Sequence, residues 1–179
     1  MLRSGAACRR RVTLDDKEMK NWRDIIQRSH EWSHKDDGYK LVTRPSADAA
    51  DIAKLESTLG FRLPAEFREL YLTYDGFGVS AKSNQTYWMF KPLAELPAFI
   101  EEIRDWFQET HPESARRYFP IIDWSSGDSS GYLLSLSGDL LPGLYDFEHE
   151  DYEFDESQEE DEFLIQSYRT IEDALLPEP

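Results

Sequence analysis

Three short patterns in this 179-residue chain carry residue types that can do chemistry. His30-Glu31-Trp32-Ser33-His34 spells H-E-x-x-H. On a helix that spacing puts two imidazoles on one face as zinc ligands, with Glu31 as base for a bound water. Gly38 then ends the helix, and no third ligand follows in a recognisable pattern. The competing reading is a polar last turn, with the histidines near the negative helix end. Gly127-Asp128-Ser129-Ser130-Gly131 spells G-x-S-x-G. A nucleophile elbow needs a strand before it and a helix after it. Here Tyr132 to Leu136 alternates like a strand, so a strand-connecting loop is the better reading. Asp75-Gly76-Phe77-Gly78 has two glycines but no preceding strand and no lysine. It reads as a helix stop rather than a phosphate cradle.

The strongest anomaly is a charge run. Asp146 to Glu162 holds eleven carboxylates in seventeen residues, and no Lys or Arg occurs between Arg117 and Arg169. Phe147, Tyr152 and Phe154 interleave its first part. One reading is a docking surface for a cationic protein, with carboxylates steering and aromatics anchoring. Its candidate contact residues are Asp146, Glu148, Glu150, Asp151, Tyr152, Glu153, Phe154, Asp155 and Glu156. A second is loose Ca²⁺ binding, although no EF-hand spacing is present. A third is a solvated, partly disordered loop.

Charge excludes some partners. The net charge is −16, and it is uneven. Residues 1–90 hold 15 Lys and Arg against 13 Asp and Glu, whereas residues 91–179 hold 5 against 23. A nucleic-acid binder needs a basic face, which this chain lacks. No apolar run approaches the ~20 residues of a membrane span. Cys8 is the single cysteine, so no internal disulfide forms, which fits a reducing, cytoplasmic compartment. The expected organisation is a flexible tail over 1–13 and one domain over 14–179, with an acidic segment at 148–162.

Hydrophobic spacing supplies the elements. Thr13 and Asp16 open a helix that runs to about Ser33 and buries Met19, Trp22, Ile25 and Ile26. Tyr39 to Pro45 is a connector. Ser46 caps a second helix with Ile52, Leu55 and Leu59 on one face, and Gly60 ends it. Pro64 starts a third helix, with Phe67, Leu70, Tyr71 and Tyr74 as its stripe. Gly76 to Gln85 is a loop, and Thr86 to Phe90 a strand. Pro97 starts a helix with Phe99, Ile100, Ile103, Trp106 and Phe107 on its buried side, ended by Pro112. Strands follow at Tyr118 to Trp124, Gly131 to Ser137, Leu144 to His149 and Phe163 to Ile165. Thr170 caps a last helix. The class is α+β, a mainly antiparallel sheet flanked by helices.

The stretch Asp51 to Gly78 also carries a family resemblance. Its matching residues are Ile52, Leu55, Glu56, Leu59, Gly60, Leu63, Pro64, Phe67, Arg68, Tyr71, Asp75 and Gly76. The pattern resembles the SUKH superfamily of bacterial immunity proteins and fungal cell-wall regulators that share the Smi/Knr domain. Weaker echoes extend it over roughly 20–176, at Trp22 with Ile25-Ile26, at Tyr118 to Tyr132 and at Tyr168 to Leu176. The resemblance implies a non-enzymatic binding protein without catalytic residues or cofactor. Its most direct expectation is an immunity protein that neutralises a cationic toxin, a nuclease included. The alternatives are a regulatory or scaffolding protein with cellular partners, and a zinc hydrolase through His30 and His34.

Overall fold

The computed structural model describes residues 20–35, 37–81 and 85–176. The predicted tail, the Thr13–Asp16 cap, Met19 and Cys8 lie outside the described residues. Within them the first helix, α1 (Trp22–Ser33), starts at Asn21, whose side chain accepts a hydrogen bond from the Asp24 amide. It buries Trp22, Ile25 and Ile26. Helix α2 (Ala49–Leu59) is capped by Asp48, two residues beyond the expected Ser46. Gly60 closes it in the left-handed conformation, φ 79°. Helix α3 (Ala65–Thr73) follows Pro64 and buries Phe67, Leu70 and Tyr71.

Two short strands depart from the sequence reading. The expected connector holds β1 (Lys40–Thr43), and the expected loop holds β2 (Phe77–Ser80). Both pair antiparallel with neighbours, and β2 is the centre of a sheet ordered β1-β2-β3, with β3 at Thr86–Phe90. Their four-residue length and the glycine in β2 hide them from any alternation test. That glycine, Gly78, is the only residue type that fits, because a Cβ there would overlap the Tyr87 carbonyl on β3.

Helix α4 (Leu96–Asp105) buries Phe99, Ile100 and Ile103. Pro112 does not merely end a helix; it opens a short one, α5 (Pro112–Arg117). A second antiparallel sheet follows in the order β4-β5-β6-β7, at Tyr118–Asp123, Ser129–Leu133, Leu144–Phe147 and Leu164–Tyr168. Strand β5 thus begins two residues before the expected Gly131. A one-turn helix, α6 (Glu160–Phe163), interrupts the acidic run, and α7 (Ile171–Leu175) closes the fold behind a Thr170 cap. The sheets adjoin at β3 and β4, where Lys91 meets Asp123 at 2.7 Å. Buried apolar side chains from α1 to α7 make one continuous core. The architecture is α+β with antiparallel sheets, as the sequence implies.

Two left-handed glycines separate strain from crowding. Around Gly60 a Cβ would meet nothing within 4 Å. At Gly76, φ 87°, it would lie 2.7 Å from the Phe90 carbonyl oxygen. We expect Gly60→Ala to cost about 1 kcal/mol, the backbone penalty alone. Gly76→Ala should cost about 3 kcal/mol, since overlap adds to that penalty. Urea unfolding of the two variants measures the difference; equal losses would contradict this description of the helix corner.

Candidate functional site

The acidic segment is folded, and its fold rests on one aromatic side chain. Tyr152 is 4% exposed. Its ring lies 5.1 Å from Phe163, 5.9 Å from Phe147 and 6.0 Å from Phe107, centre to centre. Its hydroxyl reaches both Thr110 and His111 Nδ1. His111 Nε2 faces the Gln158 carbonyl at 2.9 Å, so that nitrogen carries the proton and Nδ1 accepts from Tyr152. Gln158 then pins the loop from within. Its amide nitrogen donates to the Asp151 carbonyl, and its amide oxygen accepts from the Glu153 amide. The far end is tied by Glu160, which accepts from Arg117 and Ser114. Arg117 is the last base before the run.

Tyr152 therefore corrects the sequence expectation that it anchors a partner. It is a core residue, because its ring completes the Phe107–Phe147–Phe163 cluster. Glu148, Glu150, Asp151, Glu153, Asp155 and Glu156 are exposed, as a docking rim requires. Phe154 is 57% exposed, with φ 56°, a left-handed backbone that few aromatic residues adopt. The loop bonds of Gln158 and the Ser157-to-Asp155 turn hold it there. Trp106 was expected on the buried side of α4. It caps that helix instead, is 37% exposed, and stands 6.1 Å from the Phe154 ring. The visible surface is thus an aromatic pair, Trp106 and Phe154, within a field of carboxylates.

Asp146 lies apart from that pair, on β6. It is half-buried and accepts from the Ser130 hydroxyl, which in turn accepts from Trp124 Nε1 at 2.8 Å. Asp128 receives the His149 ring at 2.7 Å, the His149 amide at 3.0 Å and the Ser126 hydroxyl at 2.6 Å. His149 also touches Trp106, 5.5 Å between ring centres. Asp128 and His149 thereby connect the Asp146 region to the aromatic pair. Burial raises the Asp146 carboxyl above the ordinary range; bonds from Ser130 and Ser167 oppose this without cancelling it. Burial acts the same way on Asp128, but its bonds from Ser126 and His149 win and hold it below that range. Burial raises Glu148, and Asp151 adds to it.

The enzyme motifs do not assemble. His30 and His34 share a helix face, ring centres 5.4 Å apart, yet His34 pairs with Asp37 and Glu31 with Gln27. Among the described residues no three His, Cys, Asp or Glu side chains stand together as a metal site. Ser129 is fully buried at the start of β5, with its Oγ 3.1 Å from the Tyr118 hydroxyl. No helix follows it, and His149 pairs with Asp128 rather than with a serine. Among the described residues no helix is long and apolar enough to cross a membrane. The residues that sequence reasoning missed are Trp106, Gln158, His111 and Trp124. The partners of His111, Gln158 and Trp124 are set by the tertiary fold and no local period marks them, while the apolar period of α4 marks Trp106 as buried rather than as surface.

Antiparallel sheets packed by helices, with a folded acidic ridge on the second sheet, define an α+β domain. Residues 46–173 match the SMI1 / KNR4 family (SUKH-1), and the chain belongs to that family. The match covers the central helix pair, β2 to β7 and the acidic segment. It leaves α1, with the Trp22 echo, and β1 outside. Among curated proteins, none matches the chain.

Two outcomes test this site. Tyr152→Ala should cost about 3–5 kcal/mol, the range for emptying a large aromatic site. Limited proteolysis should then cut within 148–162; an uncut segment would show that Tyr152 is not its tether. The pH test uses opposite signs. The folded chain holds the Asp146 proton more tightly than the unfolded chain, so stability from this group falls as pH rises through its raised range. Asp128 contributes stability above the ordinary range and loses it as pH falls through its lowered one. Asp146→Asn should therefore cost less at about pH 7 than at about pH 3, and Asp128→Asn more. Urea midpoints at the two pH values read both signs.

Proposed function

We propose that this protein is a binding protein of the cytoplasm that neutralises a cationic toxin by covering its basic face, without catalysis. The observation that carries the reading is Phe154: an exposed aromatic ring held in left-handed backbone against Trp106, between Glu153 and Asp155. A non-glycine residue in that conformation costs roughly 1–2 kcal/mol, and this ring touches the core only edge-on at Tyr152, 4.8 Å between centres, and is otherwise 57% exposed. The surrounding carboxylates supply long-range attraction, and the two rings supply a desolvated contact. A nuclease fits the description of the toxin, since it must present a basic groove to nucleic acid. The family supports a binding role of this general kind.

The test begins with a cationic protein captured from the source cell and proceeds to its kinetics. Association should slow about tenfold or more between low salt and 0.5 M-scale salt, because exposed charges are screened beyond about 8 Å even at physiological ionic strength. Replacing Glu150, Asp151, Glu153, Asp155 and Glu156 by Gln or Asn should reproduce the slow rate in low salt. Phe154→Ala should instead raise the dissociation rate about tenfold or more. A neutralised variant that associates at the original rate and still protects cells would move the binding surface elsewhere.

A further inference from the structure

Beside the Phe154 ridge the second sheet keeps one end of a face open. On that face Tyr132 of β5 is buried, and two residues back along the strand stands Ser130. Its neighbours across the sheet include Asp146 and, beyond it, Ile165, which is exposed. An open recess of about 210 Å³ lies here, lined by Trp124, Asp128, Ser129, Asp146, Phe147, Glu148 and Tyr168. Three of these side chains are carboxylates and three more are aromatic.

The recess is ordered in a particular way. The Ser130 hydroxyl accepts from the Trp124 indole N–H and donates to Asp146. One buried hydroxyl thus locks an indole ring and a carboxylate side by side. Trp124 has its single donor satisfied, which leaves the ring available for stacking. Asp146 also accepts from Ser167, and its carboxylate has acceptor sites beyond these two bonds. Among the described residues, no ion pair reaches Asp146 or Glu148, and no lysine or arginine stacks on Trp124 or Tyr168. Burial raises the Glu148 carboxyl, and Asp151, Asp128 and Asp146 add to it; Asp128 also adds to the burial that raises Asp146. Aromatic walls with a fixed carboxylate between them are the complement of a planar guanidinium, which stacks and pairs at once.

We propose that this recess receives an arginine side chain of the cationic partner protein, stacked on Trp124 and paired with Asp146, with Glu148 at the rim. This deepens the proposed function and rests on its claim that the partner is a cationic protein. It adds a site and a preference for arginine over lysine. The recess and the Phe154 ridge would form one surface, since Asp128 and His149 connect them to Trp106.

The experiment uses the whole protein and three probes: acetylated tetra-arginine amide, its lysine counterpart and its citrulline counterpart. Binding is followed by calorimetry and by the indole Nε1 resonance of Trp124, assigned with Trp124→Phe. The arginine peptide should shift that resonance and bind several-fold more tightly than the lysine peptide. The uncharged citrulline peptide should not bind measurably. Asp146→Asn and Glu148→Gln together should weaken the arginine peptide about tenfold or more. Glu148→Gln alone touches an exposed residue and should weaken it in the same direction while leaving the fold intact. An arginine peptide that binds with the Trp124 resonance unmoved overturns the proposal, as does equal affinity in the double variant. Those results would leave the cationic-partner reading standing, since that reading depends on residues 150–156. Its own failure appears in the partner kinetics, where the Asp146 variants are not used.

Discussion

Eleven carboxylates in seventeen residues repel one another, and yet Asp146 to Glu162 lies folded against the body. One interaction makes this possible. The Tyr152 ring enters the Phe107–Phe147–Phe163 cluster, and its hydroxyl enters the chain Thr110–Tyr152–His111–Gln158. Burying a ring of that size contributes on the order of 2–3 kcal/mol. That exceeds the repulsion of any one pair of well-solvated surface charges, a fraction of a kcal/mol in water, and screening confines the repulsion to near neighbours. Glu160 adds a compensating ion pair, through Arg117 at the segment's far end. The segment is therefore a ridge with two fixed points rather than a solvated tail.

That fixed ridge determines what faces outward. With Tyr152 turned in, the chain between Asp151 and Gln158 must loop out and back within seven residues. Gln158 closes the loop on itself, and Phe154 takes left-handed backbone at its crest. The same geometry brings His149 to Asp128 on one side and to Trp106 on the other. A surface ordered before binding loses little conformational entropy on association. A disordered acidic tail of the same composition would lose much more.

The sequence made the elements visible more readily than the surface. Helices α1, α2 and α3 show themselves through apolar spacing, and Gly60 through its place after Leu59. Strands β1 and β2 do not, because four residues are too few for a period and Gly78 contributes no side chain. Their existence depends on pairing across some 35 residues of chain. The acidic run was legible as a feature, and its carboxylates at 148, 150, 151, 153, 155 and 156 are exposed. Tyr152 misled because the letters of the run do not say which aromatic turns inward. Phe154 and Tyr152 differ only in the partners that the rest of the fold supplies. Trp106 misled for the converse reason: it continues the apolar stripe of α4, but the helix ends at Asp105 and the ring swings outward.

Two kinds of force then act on different residues of one surface. Carboxylates at 150–156 act at a distance set by the Debye length, about 8 Å at physiological salt, and cannot tell one cation from another. Trp106, Phe154 and the Trp124–Ser130–Asp146 unit act only in contact, where shape and donor geometry decide. On the proposed function, variation confined to the first group would change how quickly a cationic partner arrives. Variation in the second would change which cationic partner stays. The fold could therefore keep the charge and alter the contacts. The constraint on such alteration is Tyr152, since any change that frees its ring releases the ridge on which the exposed aromatics stand.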